Sequence, residues 1–215
     1  MSEVRPLILI PSYNTGPILK ETVTSIVKYQ TPVWVVIDGS TDGSPKLIES
    51  LEVAGNQNFK ILRLPQNSGK GAAVLSGLRE AIAAGFTHVL SIDADGQHPA
   101  NFIPEFLKLS AAHPEAAILG RPIFDESAPA IRVSGRKVSN FWANLETLGW
   151  GVDDSLFGMR VYPAHDLLAV LESTKFARRF DFDTEVVDLA YTDAVFTMPL
   201  PRRVIGNWKK FASHP

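Results

Sequence analysis

The chain has 215 residues, no cysteine and a formal net charge of −2. The missing cysteines exclude disulfides, thiolate metal sites and a cysteine nucleophile, and without a basic excess the chain does not read as a nucleic-acid binder. At 45% hydrophobic and 20% charged residues, the composition is that of an ordinary soluble domain with one substantial core.

Strand and helix signals alternate through the first two-thirds, which predicts an α/β layer fold in a single domain. Leu7–Pro11 reads as strand one, followed by the loop Ser12-Tyr13-Asn14-Thr15-Gly16. Pro17 opens a helix with Ile18, Leu19, Val23, Ile26 and Val27 at helical spacing. The unbroken apolar run Val33–Ile37 is strand two, buried on both faces. A dense turn, Asp38-Gly39-Ser40-Thr41-Asp42-Gly43-Ser44, leads to a helix over 45–51, and strand three covers Phe59–Leu64. Gln66-Asn67-Ser68-Gly69-Lys70-Gly71 then precedes a helix carrying Ala73, Val74, Leu78 and Ile82. Strand four is Thr87–Ile92, and strand five is 116–120. Beyond Gly120 the spacing predicts an amphipathic helix over 131–148, and 153–162 reads as a loop leading into a strand. Helices follow at 163–172 and 183–191, then a last strand at 195–198 and the tail Trp208-Lys209-Lys210-Phe211. No apolar run approaches the roughly 20 residues of a membrane span, and the start lacks a signal peptide's apolar region. The expected location is the cytoplasm, with any membrane contact peripheral, at the inner face.

The most informative stretch is Ser91-Ile92-Asp93-Ala94-Asp95-Gly96-Gln97-His98-Pro99. Asp93 and Asp95 lie two residues apart at the end of strand four, where alternation puts both carboxylates on one side, and they repel unless a cation or a set of donors stands between them. Gln97 repeats the spacing with a neutral oxygen. Oxygen-only ligands of this kind suit Mg²⁺ or Mn²⁺. The competing reading is a chance Asp-x-Asp that caps the helix starting near Pro99.

Ligands of an open α/β sheet bind at the carboxyl ends of its strands. Four polar, glycine-bearing segments follow strands one to four: 12–16, 38–44, 67–71 and 93–97. Converging on one edge, they describe a pocket for a nucleoside diphosphate with its metal.

These residues resemble a family. Pro11-Ser12-Tyr13-Asn14, Val35-Val36-Ile37-Asp38-Gly39-Ser40, Asn67-Ser68-Gly69-Lys70-Gly71 and Asp93-Ala94-Asp95-Gly96-Gln97-His98-Pro99 are similar to the motifs of family 2 glycosyltransferases. Those enzymes have the GT-A fold, a Rossmann-like, mostly parallel sheet flanked by helices. Asp154-Ser155-Leu156-Phe157-Gly158-Met159-Arg160-Val161-Tyr162 resembles the Asp-x-x-x-Gly-x-Arg-x-Tyr stretch of the dolichol-phosphate mannose synthases and bacterial polyprenyl-phosphate glycosyltransferases. The likeness covers roughly residues 5–200, in order. Two positions depart: Ile37 stands where the family often has a second aspartate, and Thr15 where it often has glutamate.

The resemblance implies a metal-dependent, inverting transfer of sugar from a UDP- or GDP-linked donor to an acceptor, with residues 1–120 as the donor half and 121–215 as the acceptor half. Pro11, Tyr13 and Asp38 would hold base and ribose, Lys70 phosphate or sugar, and Asp93, Asp95 and Gln97 the ion. Arg121, Arg136 and Arg160 are candidate anion clamps, because guanidinium meets phosphate with two parallel bonds. Asp154 and Glu185 remain for acceptor or sugar contact. The bland counterparts are a turn-forming Asp38, an N-capping Asp42, a solvent-exposed Lys70, and surface salt bridges for the arginines, Arg202 and Arg203 above all. The expected acceptor is a polyprenyl phosphate. Its alternatives are a hydroxyl acceptor or a non-catalytic nucleotide-sugar binder, and a sugar-phosphate nucleotidyltransferase is disfavoured by the absence of a basic Gly-rich motif after strand one.

Overall fold

The apolar runs of the first half become the centre of one twisted sheet. The computed structural model describes residues 3–53, 58–123, 158–173 and 195–201. The helices expected over 131–148 and 183–191, the tail, and Arg132, Arg136, Asp154, Glu185, Arg202 and Arg203 lie outside the described residues. The described strands are β1 (Pro6–Ser12), β2 (Val33–Asp38), β3 (Phe59–Leu64), β4 (His88–Ser91), β5 (Ala117–Ile123), β6 (Arg160–Pro163) and β7 (Val195–Pro201). Their order is β3-β2-β1-β4-β6-β5-β7. β6 runs antiparallel to β4 and β5, and every other pairing is parallel.

Both faces of the sheet are covered, which is why β1 and β2 are apolar throughout rather than alternating. Ile8, Ile10, Val33, Val35, Leu90 and Ile92 pack under α1 (Ile18–Val27) and α4 (Ile103–Ala112). Leu7, Leu9, Trp34, Val36 and Val89 pack under α3 (Lys70–Ala83) and α5 (Ala164–Ser173). Each fully buried Val, Leu or Ile contributes about 1.5–3 kcal/mol, so these two layers fix where the strand ends lie. α3 sits closest, at Gly77, where a Cβ would stand 2.6 Å from Leu9 Cδ1 and 2.9 Å from Val36 Cγ2.

Several boundaries differ from the sequence reading. The helix expected at 45–51 is a 3₁₀ turn, Ser44–Leu47, followed by the short α2 (Glu49–Val53). In this turn the Ile48 amide reaches the Pro45 carbonyl three residues back. Pro99 likewise introduces a 3₁₀ turn, Ala100–Phe102, before α4 begins. Finally, β5 runs on to Ile123 beside β7, so Arg121 lies within the strand opposite Pro199 instead of following it.

Gly77 supplies a test of the packing. Replacing glycine inside a helix gains at most about 1 kcal/mol in propensity, whereas overpacking a filled core costs about 1–3 kcal/mol. Valine adds two methyls beyond the crowded Cβ, so Gly77→Val is expected to lower the urea midpoint without changing the m-value. An unchanged midpoint would mean that α3 stands off the sheet.

Candidate active site

The chain leaves β1 through β2 to β3 on one side and returns to β4 on the other, so the strand order reverses between β1 and β4. A crevice opens beyond the carboxyl ends at such a point. Side chains tie the loops around it to one another. Asn14, with φ of 47°, donates its amide to Ser40 Oγ at 3.0 Å and accepts from the Thr41 amide at 2.8 Å. Asp42 Oδ2 accepts from the Gly16 amide at 2.7 Å, while Oδ1 accepts the amide and hydroxyl of Ser44. Slight burial raises the Asp42 carboxyl, but the Ser44 and Gly16 bonds hold it below its ordinary value. The N-cap position falls on Gly43, with no side-chain cap, so Asp42 is not the N-cap expected of it; it holds Ser44 at the start of the 3₁₀ turn and ties it to the β1 loop. Tyr13 stays half exposed on that loop, with Pro11 and Ser12 buried beneath it.

Asp38 is buried at the end of β2, and both of its oxygens are engaged. The amides of Ser68 and Gly69 donate to Oδ1 and Oδ2, each at 2.8 Å. Neither a base contact nor a local turn anticipates this bond across 30 residues. Its effect is to hold the segment from which α3 starts.

α3 opens with Lys70, whose Nζ lies 2.6 Å from Asp93 Oδ1. The Lys70 side chain is 18% exposed and that of Asp93 29%, which rules out the solvent-exposed reading of Lys70. His98 Nε2 stands 3.2 Å from the other Asp93 oxygen, with its ring buried. With the proton on Nε2, His98 donates to that oxygen. Burial pushes the Asp93 carboxyl up, but Lys70 and His98, by charge and hydrogen bonding, hold it well below the usual carboxylate range. Sequence reasoning gave His98 no role; its spacing of five residues from Asp93, across a glycine turn, was the available signal.

The expectation that Asp93 and Asp95 share one side of a strand is corrected. β4 ends at Ser91 and residues 94–95 form a turn, so alternation has lapsed. Asp93 is partly buried, Ala94 buried and Asp95 exposed, with Asp95 Oδ1 accepting from the Gln97 amide at 3.0 Å. The helix-cap reading also fails, because neither the 3₁₀ turn nor α4 has a side-chain cap. Among the described residues no three His, Cys, Asp or Glu groups are arranged to hold a metal. That pattern still suits Mg²⁺, which keeps several waters and uses one or two carboxylates together with substrate phosphates. The donor chemistry therefore fits a hard divalent ion at Asp95 and Gln97, with Asp93 behind them.

Arg160, at the start of β6, is buried and donates to the Tyr162 hydroxyl at 3.2 Å. A surface salt bridge is thereby excluded for it. Arg121 is placed only as a β5 residue.

Residues 7–163 match the family profile of Glycosyl transferase family 2. The chain is a family 2 glycosyltransferase. Polyprenol monophosphomannose synthase of Mycolicibacterium smegmatis is 25% identical to it over 219 residues, covering 98% of this chain and 82% of the relative. UDP-N-acetylglucosamine–dolichyl-phosphate N-acetylglucosaminyltransferase of Methanococcus voltae is 25% identical over 213 residues, covering 92% and 84%. Glucosyl-3-phosphoglycerate synthase of Mycobacterium tuberculosis, crystallised with Mn²⁺, UDP and glucosyl-3-phosphoglycerate, superposes with a TM-score of 0.71 at 18% identity, covering 98% and 75%. The glycosyltransferase accordingly has the GT-A fold.

The low carboxyl of Asp93 gives a test with a definite sign. A depressed group contributes stability above its unfolded value, near pH 3.9, and loses it as pH falls through the folded value. Lys70→Gln weakens that contribution. The stability gap between wild type and variant, followed by thermal unfolding in chelator, is expected to be full at neutral pH and to narrow below about pH 4. A gap independent of pH would assign Lys70 a packing role alone.

Proposed function

We propose that this glycosyltransferase moves a sugar from a UDP- or GDP-linked donor to a polyprenyl phosphate. The observation that carries the donor half is the carboxyl-edge crevice, where paired Lys70 and Asp93 stand beside the exposed Asp95. The acceptor half rests on the two relatives above, whose names contain a polyprenol or dolichyl phosphate.

Tyr13, with Pro11 below it, offers its ring to the base, and Asp38 keeps lone pairs beyond those used by Ser68 and Gly69 for a ribose contact. Lys70 opens α3, and a helix start beside a lysine favours phosphate oxygens. Asp95 and Gln97 are the groups that would hold Mg²⁺ or Mn²⁺, with Asp93 adding negative charge. Such an ion supplies neutralisation of the diphosphate as the glycosidic bond breaks.

A phosphate monoester is already ionised at neutral pH, so the acceptor needs cations to position it and no general base. Its oxygen forms the new bond to the anomeric carbon on the face opposite the diphosphate, whose bond to that carbon breaks with inversion. Arg121 and Arg136 are proposed to clamp the acceptor phosphate, and Asp154 to contact the sugar. In this division residues 1–120 serve the donor and 121–215 the acceptor within one catalytic domain. No described helix is long and apolar enough to cross a membrane. In this proposal the lipid is met at the bilayer surface, by peripheral contact from the cytoplasmic side.

The test offers purified protein UDP- and GDP-sugars with Mn²⁺ or Mg²⁺, and a short-chain polyprenyl phosphate beside the free alcohol and simple sugars. Transfer to the phosphate is expected. Asp95→Ala should lower kcat by roughly 100-fold or more, because a bound metal is worth several kcal/mol to such a transition state. Gln97→Ala should do less, since water replaces a neutral ligand. Transfer only to the alcohol or a sugar would overturn the acceptor assignment and make Asp154 or Glu185 the candidate base.

A further inference from the structure

Asp93 is enclosed on a third side, by backbone. A Cβ placed on Gly158 would collide with the Asp93 carboxylate, falling 2.8 Å from Oδ1 and closer still to Oδ2 and Cγ. Gly158 does not occupy the left-handed region that favours glycine, so its backbone is open to any residue. What excludes a side chain there is Asp93.

The backbone at 158 also has little room to retreat. The Gly120 amide donates to the Met159 carbonyl at 3.1 Å. One residue further, Arg160 pairs with Ser91 of β4 and Leu119 of β5, its side chain buried against Tyr162. Gly158 therefore stands two residues before a strand held from both sides, facing a carboxylate that Lys70 and His98 hold from the others. An alanine must push Asp93 off one of these partners or push its own segment out of β6.

We propose that Gly158 is a positioning residue for the donor site: its bare backbone is the wall that seats Asp93 between Lys70 and His98. Through it the pairing of β6 becomes part of the site's geometry. This rests on the donor-site reading given above, and one experiment separates the two.

Thermal unfolding, and binding of UDP and of GDP with Mn²⁺, are measured for wild type, Gly158→Ala, Asp93→Ala and the double variant. Gly158→Ala is expected to lower the melting temperature of the wild type and to weaken nucleotide binding about tenfold or more, since a misplacement of about 1 Å can already cost a site about 100-fold in rate. In the Asp93→Ala background the same substitution should change neither, because the new methyl enters the space that the carboxylate left. Should Gly158→Ala alone fail to fold, a folded double variant reports the same coupling. Equal destabilisation in both backgrounds, wild-type nucleotide binding by Gly158→Ala, or misfolding of both Gly158 variants beside a folded Asp93→Ala, would overturn the proposal. Coupled melting temperatures with no nucleotide bound even by wild type would overturn the donor-site reading and the positioning role with it, leaving a packing contact.

Discussion

The ion pair of Lys70 with Asp93 is the contact on which the site depends. It joins the start of a helix packed on β1 and β2 to the segment after β4, across the point where the strand order reverses. Its setting separates it from the exposed pairs among the described residues. Lys60–Glu80, Arg63–Glu49 and Arg79–Glu172 are exposed on both sides, and such pairs are worth about 0–1 kcal/mol. Removing one partner of a mostly buried pair costs more, about 3–5 kcal/mol, because the other charge is left without compensation. Asp93 reduces its own desolvation penalty by also accepting from His98. The pair thus serves the geometry of the edge at least as much as the stability of the fold.

The same device recurs along the edge. Asp38 holds the segment before α3, Asp42 holds the loop after β1, and Asn14 exchanges two bonds with Ser40 and Thr41. Each is a polar side chain joining one loop to a neighbour in space through backbone amides or hydroxyls. Loops tied in this way present their remaining groups with little freedom left to lose on binding, the condition under which a polar site binds well. Tyr13 and Asp95 are among the residues that these loops leave exposed to solvent.

Much of this was legible in the sequence, for physical reasons that differ by element. β1, β2 and α3 were readable because burial on both faces leaves unbroken apolar runs, and because Gly69-Lys70-Gly71 marks a helix start. The four converging loops were readable because parallel strands send all their ends to one edge. Chain order could not reveal the insertion of antiparallel β6 between β4 and β5, since that pairing is set by contacts far apart in sequence. The geometry of Asp93 and Asp95 was misjudged because β4 stops two residues before the first of them. The proximity of His98 and Gly158 to Asp93 was not legible, because in each case the carboxylate reaches the residue only in three dimensions.

The central claim is that nucleotide binds in the β1/β4 crevice, among loops already tied together. Amide hydrogen exchange with UDP or GDP and Mn²⁺ tests it most directly, peptide by peptide. The account predicts added protection in 12–16, 38–44, 66–71 and 92–98, with the opposite edge of the sheet, around Gln30, Thr31 and Asn58, unchanged. Protection at that opposite edge, with none at the four loops, would contradict it.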